Sequence, residues 1–323
     1  MLGQAVNFSR LKSYLPYLLS IAALFALFAY LYRNAERYQQ LLDLSAGSLF
    51  RLFSLVLMFT LANGLINYLF YHGLGLPLTL NEGIGLAAVN TLANQLPFAG
   101  GMIAKGVYLK QRYKLTYTRF LSATLALYVC FVATNGVVGV AVLAYLALVD
   151  DTMVPTLLIL GFSAMAASVL LLWLPVDASS VPDKWGQRLA QLVDGWQVLS
   201  QNRLLVGELV GVQILIILMF AGRFWIAFHA LSQDVTLAQC ILFSAATILT
   251  RLVSIAPGGF GVREAVVAGV ASVLGFDVGV SVVAVGIDRL VATVVIIALG
   301  TVYAYILSKK VANAQSESEP YEQ

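Results

Sequence analysis

The chain has 323 residues, of which 60% are apolar and only 11% charged, with a mean hydropathy of +0.87 and a formal net charge of +3. Soluble chains carry roughly 25% charged residues, so this composition is that of a polytopic membrane protein with no room for a folded aqueous domain beyond short flanks. So small a charge on so apolar a chain argues against nucleic acid as a partner and suits basic loops facing anionic lipid.

In chain order, a short polar start carries Arg10 and Lys12, and residues 14–32 form the first apolar run. Its far flank, Arg33 to Arg37, lacks a small-residue cleavage pattern, so the run is read as a retained helix rather than a signal peptide. A second helix is expected over 49–71, with Arg51 near its start. After a turn-rich link comes an apolar segment over 83–96, studded with Asn90, Asn94 and Gln95 and ending at Pro97. Its 14 residues would span about 21 Å as a helix, short of the roughly 30 Å hydrocarbon core, which favours a re-entrant hairpin. Residues 102–119 then hold five basic side chains and no acid. Spanning helices are expected over 120–149, 154–175 and 204–230. Trp185, Leu189, Leu192, Val193, Trp196 and Leu199 recur at helical spacing, as in an amphipathic helix over about 183–203 lying in the headgroup plane or linking two halves. The last span is expected over 278–307, followed by a polar, disordered tail over 311–323.

The segment entered at Ala238 does not run on as an uninterrupted apolar helix. Pro257 removes a backbone donor, and Gly258, Gly259 and Gly261 permit angles that other residues resist. A new helix-compatible run then opens on Arg263 and Glu264. Non-helical backbone at membrane depth is tolerated only where protein buries it or a wet cavity lies beside it, so the break reads as a binding site. The plainer reading is a surface turn with a snorkelling arginine and a helix-start glutamate.

The two broken segments belong to an internal repeat. Residues 71–80 align with 228–237 at an offset of 157, with His72 matching His229 and Thr79 matching Thr236. Each threonine precedes an apolar segment interrupted by a Pro/Gly cluster. Such pairs, in matching positions of two halves, point to a transporter's binding site. The halves cover about 49–150 and 204–307 within one integral-membrane domain, 1–310. Loop charge sets the orientation. With 102–119, 176–203 and 309–310 cytoplasmic, both termini lie inside and the halves become inverted repeats, at the cost of Arg33 and Arg37 outside. The fold class is therefore an all-α polytopic membrane protein, with about six spanning helices and two re-entrant broken-helix hairpins.

Pro257-Gly-Gly-Phe-Gly-Val-Arg-Glu264 resembles the P-G-G-x-G-x-R-E signature of the flippase-like transmembrane family, which includes the membrane domain of lysylphosphatidylglycerol synthase/flippase proteins. Asn94, Pro97, Gly100, Gly101 and Lys105 fit the first broken segment, and the similarity runs over roughly 10–308. The resemblance implies translocation across the cytoplasmic membrane of a lipid with a polar head: an anionic phospholipid, an aminoacyl-phospholipid or a polyprenyl-phosphate-linked glycan. Bifunctional members continue into a soluble aminoacyl-transferase domain, and here only about 15 residues follow the last expected helix, so lipid aminoacylation is not expected.

The residues support an anionic head group independently of that resemblance. A helix restarting after a Gly-rich break presents free N–H groups and a favourable dipole, and Arg263 adds a fork of donors suited to phosphate. Glu264 could hold a substrate amine, pair with Arg263 or stabilise the helix start. Lys105 is either the matching contact in the first half or an ordinary positive-inside lysine. Arg223, Arg251, Asp288, Arg289 and Glu208 are expected as interior charges, some pairing with one another. Cys130 and Cys240 sit in apolar runs and the two histidines are far apart, so no disulfide, metal or cofactor is expected. With no nucleophile–base pattern or phosphate-binding loop, neither an enzyme nor an ATP-driven pump is expected. An ion-coupled carrier of a small anionic solute and a non-transporting membrane partner of a lipid- or glycan-modifying enzyme remain the alternatives, and a homodimer is left open.

Overall fold

The computed structural model describes residues 45–95, 100–149, 154–172, 199, 201–251 and 261–316, and all regular structure among them is helical. The first half comprises α1 (Ala46–Gly73), α2 (Leu80–Ala93), α3 (Gly100–Tyr113) and α4 (Tyr117–Leu148). Two shorter helices, α5 (Thr156–Ala167) and α6 (Val169–Leu172), follow. The second half comprises α7 (Arg203–Ala230), α8 (Leu237–Ala246) with a 3-10 turn over Thr247–Arg251, α9 (Val262–Val273) and α10 (Val278–Ser316).

The repeat is written into the helix boundaries. α1 and α7 are both 28 residues long, and their starts at 46 and 203 keep the offset of 157. Thr79 and Thr236 each cap the next helix through a reciprocal box, with Glu82 in one half and Gln239 in the other satisfying the cap's own N–H. Positive φ recurs at Gly75 and Ser232, again 157 apart. The ring pairs Tyr68–His72 and Trp225–His229 match in the same way.

α1 and α7 pack against each other in opposite directions. Gly73 at the end of α1 abuts Leu205 at the start of α7, while Leu55 lies against Gly222 and Phe59 against Phe220 further along. Matching helices of the two halves therefore run antiparallel. The exchange extends to their partners: α2 packs on α10 of the second half, and α8 packs on α4 of the first.

α2 and α3 fold back on one another. At their open end the Tyr108 and Tyr113 hydroxyls donate to Glu82, at 2.8 and 3.0 Å, while at the turn the Gly101 N–H donates to Asn94 Oδ1 at 3.0 Å. The base of this hairpin lies beside the C-terminal part of α10, where Lys310 Nζ is 3.4 Å from Glu82 and Tyr303 donates to Asn81. α8 and α9 form the corresponding hairpin in the second half. Its base packs Phe243 and Phe276 against Phe228 at the end of α7. The two hairpins thus enter the bundle from opposite ends. Lys110, Arg112, Lys114, Arg119, Arg203, Lys309 and Lys310 cluster at the first end; Asp234 and Asp277 mark the other, where α1 carries Arg51.

Four of the described helices are long and apolar enough to cross a membrane: 46–73, 117–148, 203–230 and 278–313. These are the spans expected from 49, 120, 204 and 278. The span expected over 14–32 and the amphipathic helix (all but its last few residues) lie outside the described residues. Of the segment read as a span over 154–175, the described residues to 172 form a 12-residue helix and a four-residue one. The basic stretch 102–119 is mostly helix rather than loop, because it forms the second arm of the first hairpin. α10 also continues to Ser316, into the tail expected to be disordered. Leu307 and Val311 pack on the core there, and the Lys310–Glu82 pair anchors the extra turns.

Candidate functional site

A cavity of about 310 Å³ is lined from α1, α2, α3, α4, α7, α8, the 3-10 turn, α9 and α10. Its charged lining residues among those described are Lys105, Arg223, Arg263 and Arg289. All four are cations set within an apolar bundle, where ionisable side chains are costly and ordinarily functional.

The arginines are held by two acids standing behind the lining. Arg223 Nε donates to Asp288 Oδ1 at 2.6 Å, and Arg263 Nη2 donates to the other carboxylate oxygen, Oδ2. Asp288 is fully buried and Arg223 only 2% exposed. The two guanidiniums also share an aromatic wall: Phe220 lies 4.8 Å from Arg223 and 4.4 Å from Arg263, with Phe59 and Phe224 beyond. One carboxylate and the negative faces of these rings are what allow two like charges to sit together in an apolar setting. Two guanidiniums on one carboxylate leave a positive charge in excess.

Glu264 has a different task. Gly261 adopts φ +81°, a left-handed angle suited to glycine, and its N–H donates to Glu264 Oε2 at 2.9 Å. Glu264 Oε1 lies 3.1 Å from Arg289 Nη1, close enough for an ion pair although not aligned as a hydrogen bond. Of the three roles open to Glu264, helix-start stabilisation is realised; the ion pair is made with Arg289, since Arg263 is taken by Asp288. Of the N–H groups expected to be free at this helix start, that of Gly261 is occupied by Glu264.

Lys105 sits in the basic half-hairpin, and its Nζ donates to Asn67 Oδ1 at 3.0 Å at the cavity wall. Asn67 in turn donates from Nδ2 to the Gly83 carbonyl, tying α1, α2 and α3 together. Asn94 forms the turn of the first hairpin and also lines the cavity. Arg251 ends the 3-10 turn, while its side chain, together with Pro257, Gly258 and Gly259, lies outside the described residues. Glu208, near the start of α7, is exposed rather than interior.

Three further residues belong to the site. Phe220 could not be told from ordinary core by its sequence context. Asn67 and Gln213 were more legible, as carboxamides inside otherwise apolar spans. Gln213 is 2% exposed, lines the cavity, and its Oε1 has no partner among the described residues. The buried Arg263 Nε is likewise without one.

No curated protein matches the chain. The family model described as the lysylphosphatidylglycerol synthase TM region matches residues 17–300, nearly the whole chain and every helix that reaches the cavity. The chain belongs to that family.

Proposed function

We propose that this protein translocates a lipid with a polar, phosphate-bearing head group across the cytoplasmic membrane. The observation that carries this reading is the basic cavity between two oppositely entering hairpins, with two guanidiniums sharing Asp288. Matching broken helices meeting near the midplane are how inverted-repeat transporters build substrate sites. A guanidinium fork with an unfilled N–H suits a phosphate oxygen. On this reading both hairpins are re-entrant, the basic end of the bundle faces the cytoplasm together with both termini, and no catalysis is assigned to the chain.

The test is translocation of a fluorescent phospholipid in reconstituted vesicles, with protein amount and folding checked for each variant. Arg263→Lys keeps the charge but loses the planar fork that meets Asp288 while presenting Nε, so its rate should fall about tenfold. Arg263→Ala should fall further, about a hundredfold, as a desolvated anion loses a principal partner. Near-normal rates in both variants would refute the head-group role. Uptake of a soluble anion without lipid movement would favour the solute-carrier alternative.

A further inference from the structure

We infer that the head group this cavity accepts is anionic and hydroxyl-bearing, and that the site rejects a cationic aminoacyl head such as the lysyl ester in the family's name. The inference rests on the proposed lipid-translocation reading and narrows its substrate class.

Three observations carry it. The first is sign. The described charged residues of the lining are all cations, and Asp288 and Glu264 stand behind them, already engaged with arginines. By sequence, the links that join the arms of the two hairpins, 96–99 and 252–260, carry no ionisable side chain. A lysyl ester carries two ammonium groups against one phosphate. Its two ammonium groups would face only like charge among the described lining residues, in a setting where water screens little.

The second observation is the pair of unfilled buried groups. Arg263 Nε is a donor and requires an acceptor, which a phosphate oxygen supplies. Gln213 Oε1 is an acceptor and requires a donor. A buried polar atom left without a partner is costly, so a ligand offering both groups is favoured over one that offers only oxygen acceptors. A phosphodiester carrying alcohol hydroxyls meets both demands without bringing an ammonium.

The third observation is the rest of the wall. Asn63, Asn67, Asn90, Asn94, Gln95 and Asn135 line the same cavity as Gln213. Asn67 is used on both edges within the protein. The Asn63 and Asn135 amides, bonded through Nδ2 to backbone carbonyls, keep acceptor edges, and Asn94, whose oxygen holds Gly101, keeps a donor edge. This mixed set matches hydroxyl groups able to donate or accept. A cavity of about 310 Å³ has space for a phosphate with a glycerol or a single sugar beside it.

The experiment measures binding to the purified full-length chain in detergent by thermal shift and native mass spectrometry. The probes are dioctanoyl-phosphatidylglycerol, dioctanoyl-phosphatidic acid, dioctanoyl-lysylphosphatidylglycerol and sn-glycerol 1-phosphate. Phosphatidylglycerol should bind at least about tenfold more tightly than the lysyl lipid. Gln213→Leu should remove about tenfold of the phosphatidylglycerol affinity while leaving phosphatidic acid nearly unchanged, because only the former offers a hydroxyl donor from its head-group alcohol. Arg263→Gln should weaken every phosphate-bearing probe. A lysyl lipid that binds as tightly as phosphatidylglycerol overturns the inference, as does equal loss for both anionic lipids in Gln213→Leu. Glycerol phosphate binding as tightly as the lipid, with the same dependence on Gln213, upholds the head-group chemistry while removing the lipid-translocation reading. Binding of none of the probes removes both.

Discussion

At the residue scale the site turns on Asp288, because two arginines depend on it. Removing one partner of a buried ion pair typically costs about 3–5 kcal/mol, since the remaining charge is left uncompensated. Asp288→Asn keeps the shape but leaves Arg223 and Arg263 facing each other across Phe220. The variant should unfold at a clearly lower temperature in detergent, and adding Arg223→Gln should recover part of the loss by removing the surplus charge. Unchanged melting in Asp288→Asn would show that the triad contributes nothing to the fold. The constituents of this triad could be read as interior charges from the sequence, yet their pairing could not. Asp288 and Arg289 are neighbours in the chain, but on a helix adjacent residues point about 100° apart. Each therefore finds a partner on α9, Arg263 for one and Glu264 for the other. Only the relative rotation of α9 and α10 decides which, and no local pattern encodes it.

At the element scale, the first hairpin is closed at its base by one carboxylate. Glu82 accepts from the Thr79 backbone and hydroxyl and from the hydroxyls of Tyr108 and Tyr113, and it lies within ion-pair distance of Lys310. Burial works against its ionisation, but the Thr79 and tyrosine bonds outweigh it and hold the carboxyl down at about 2. The same surroundings push the Tyr113 hydroxyl up to about 12. Because the folded-state value lies below the ordinary 4.5, the stabilisation is fully present above that pH and is lost as pH falls towards 2. Melting temperature followed from neutral pH to about pH 3 should therefore fall more steeply for the unmodified chain than for Glu82→Gln, which should start lower and converge on it. Parallel curves would remove Glu82 as the hairpin's clasp. The Thr79 and Thr236 repeat, the short broken segment and the long spans were all legible, because caps and apolar runs are local signals. The helical arm over 100–113 was not, since its basic residues mask an apolar face formed by Gly101, Gly106, Tyr108 and Leu109. The extra turns of α10 were equally hidden: their order comes from Glu82, more than two hundred residues away.

At the scale of the whole molecule, the opposed entry of the two hairpins makes the re-entrant reading testable. If the first hairpin is re-entrant, the chain before α2 and the chain after α3 share one face of the membrane, and both lie at the basic end of the bundle. If α2 instead crossed completely and α3 did not bring the chain back, those two points would be on opposite faces and the repeats would be parallel. His72, Lys114, Asp234 and Asp277 are exposed and sample the four positions that matter. The natural cysteines, Cys130 and Cys240, are buried and give little background to thiol labelling. Single cysteines at 72 and 114 should react with an impermeant maleimide only from the cytoplasmic side, and those at 234 and 277 only from outside. The cost of Asp277→Cys is the loss of a cap on α10, about 1 kcal/mol, which is small enough to leave insertion unaffected. Reaction of 72 and 114 from opposite faces would make the first hairpin a crossing. Reaction of all four from one face would place both hairpin bases together, contradicting the antiparallel packing of α1 and α7 that puts Gly73 beside Leu205. Opposed labelling with the basic end outside would keep the architecture and reverse only its orientation, because loop charge, unlike helix packing, biases insertion without dictating it.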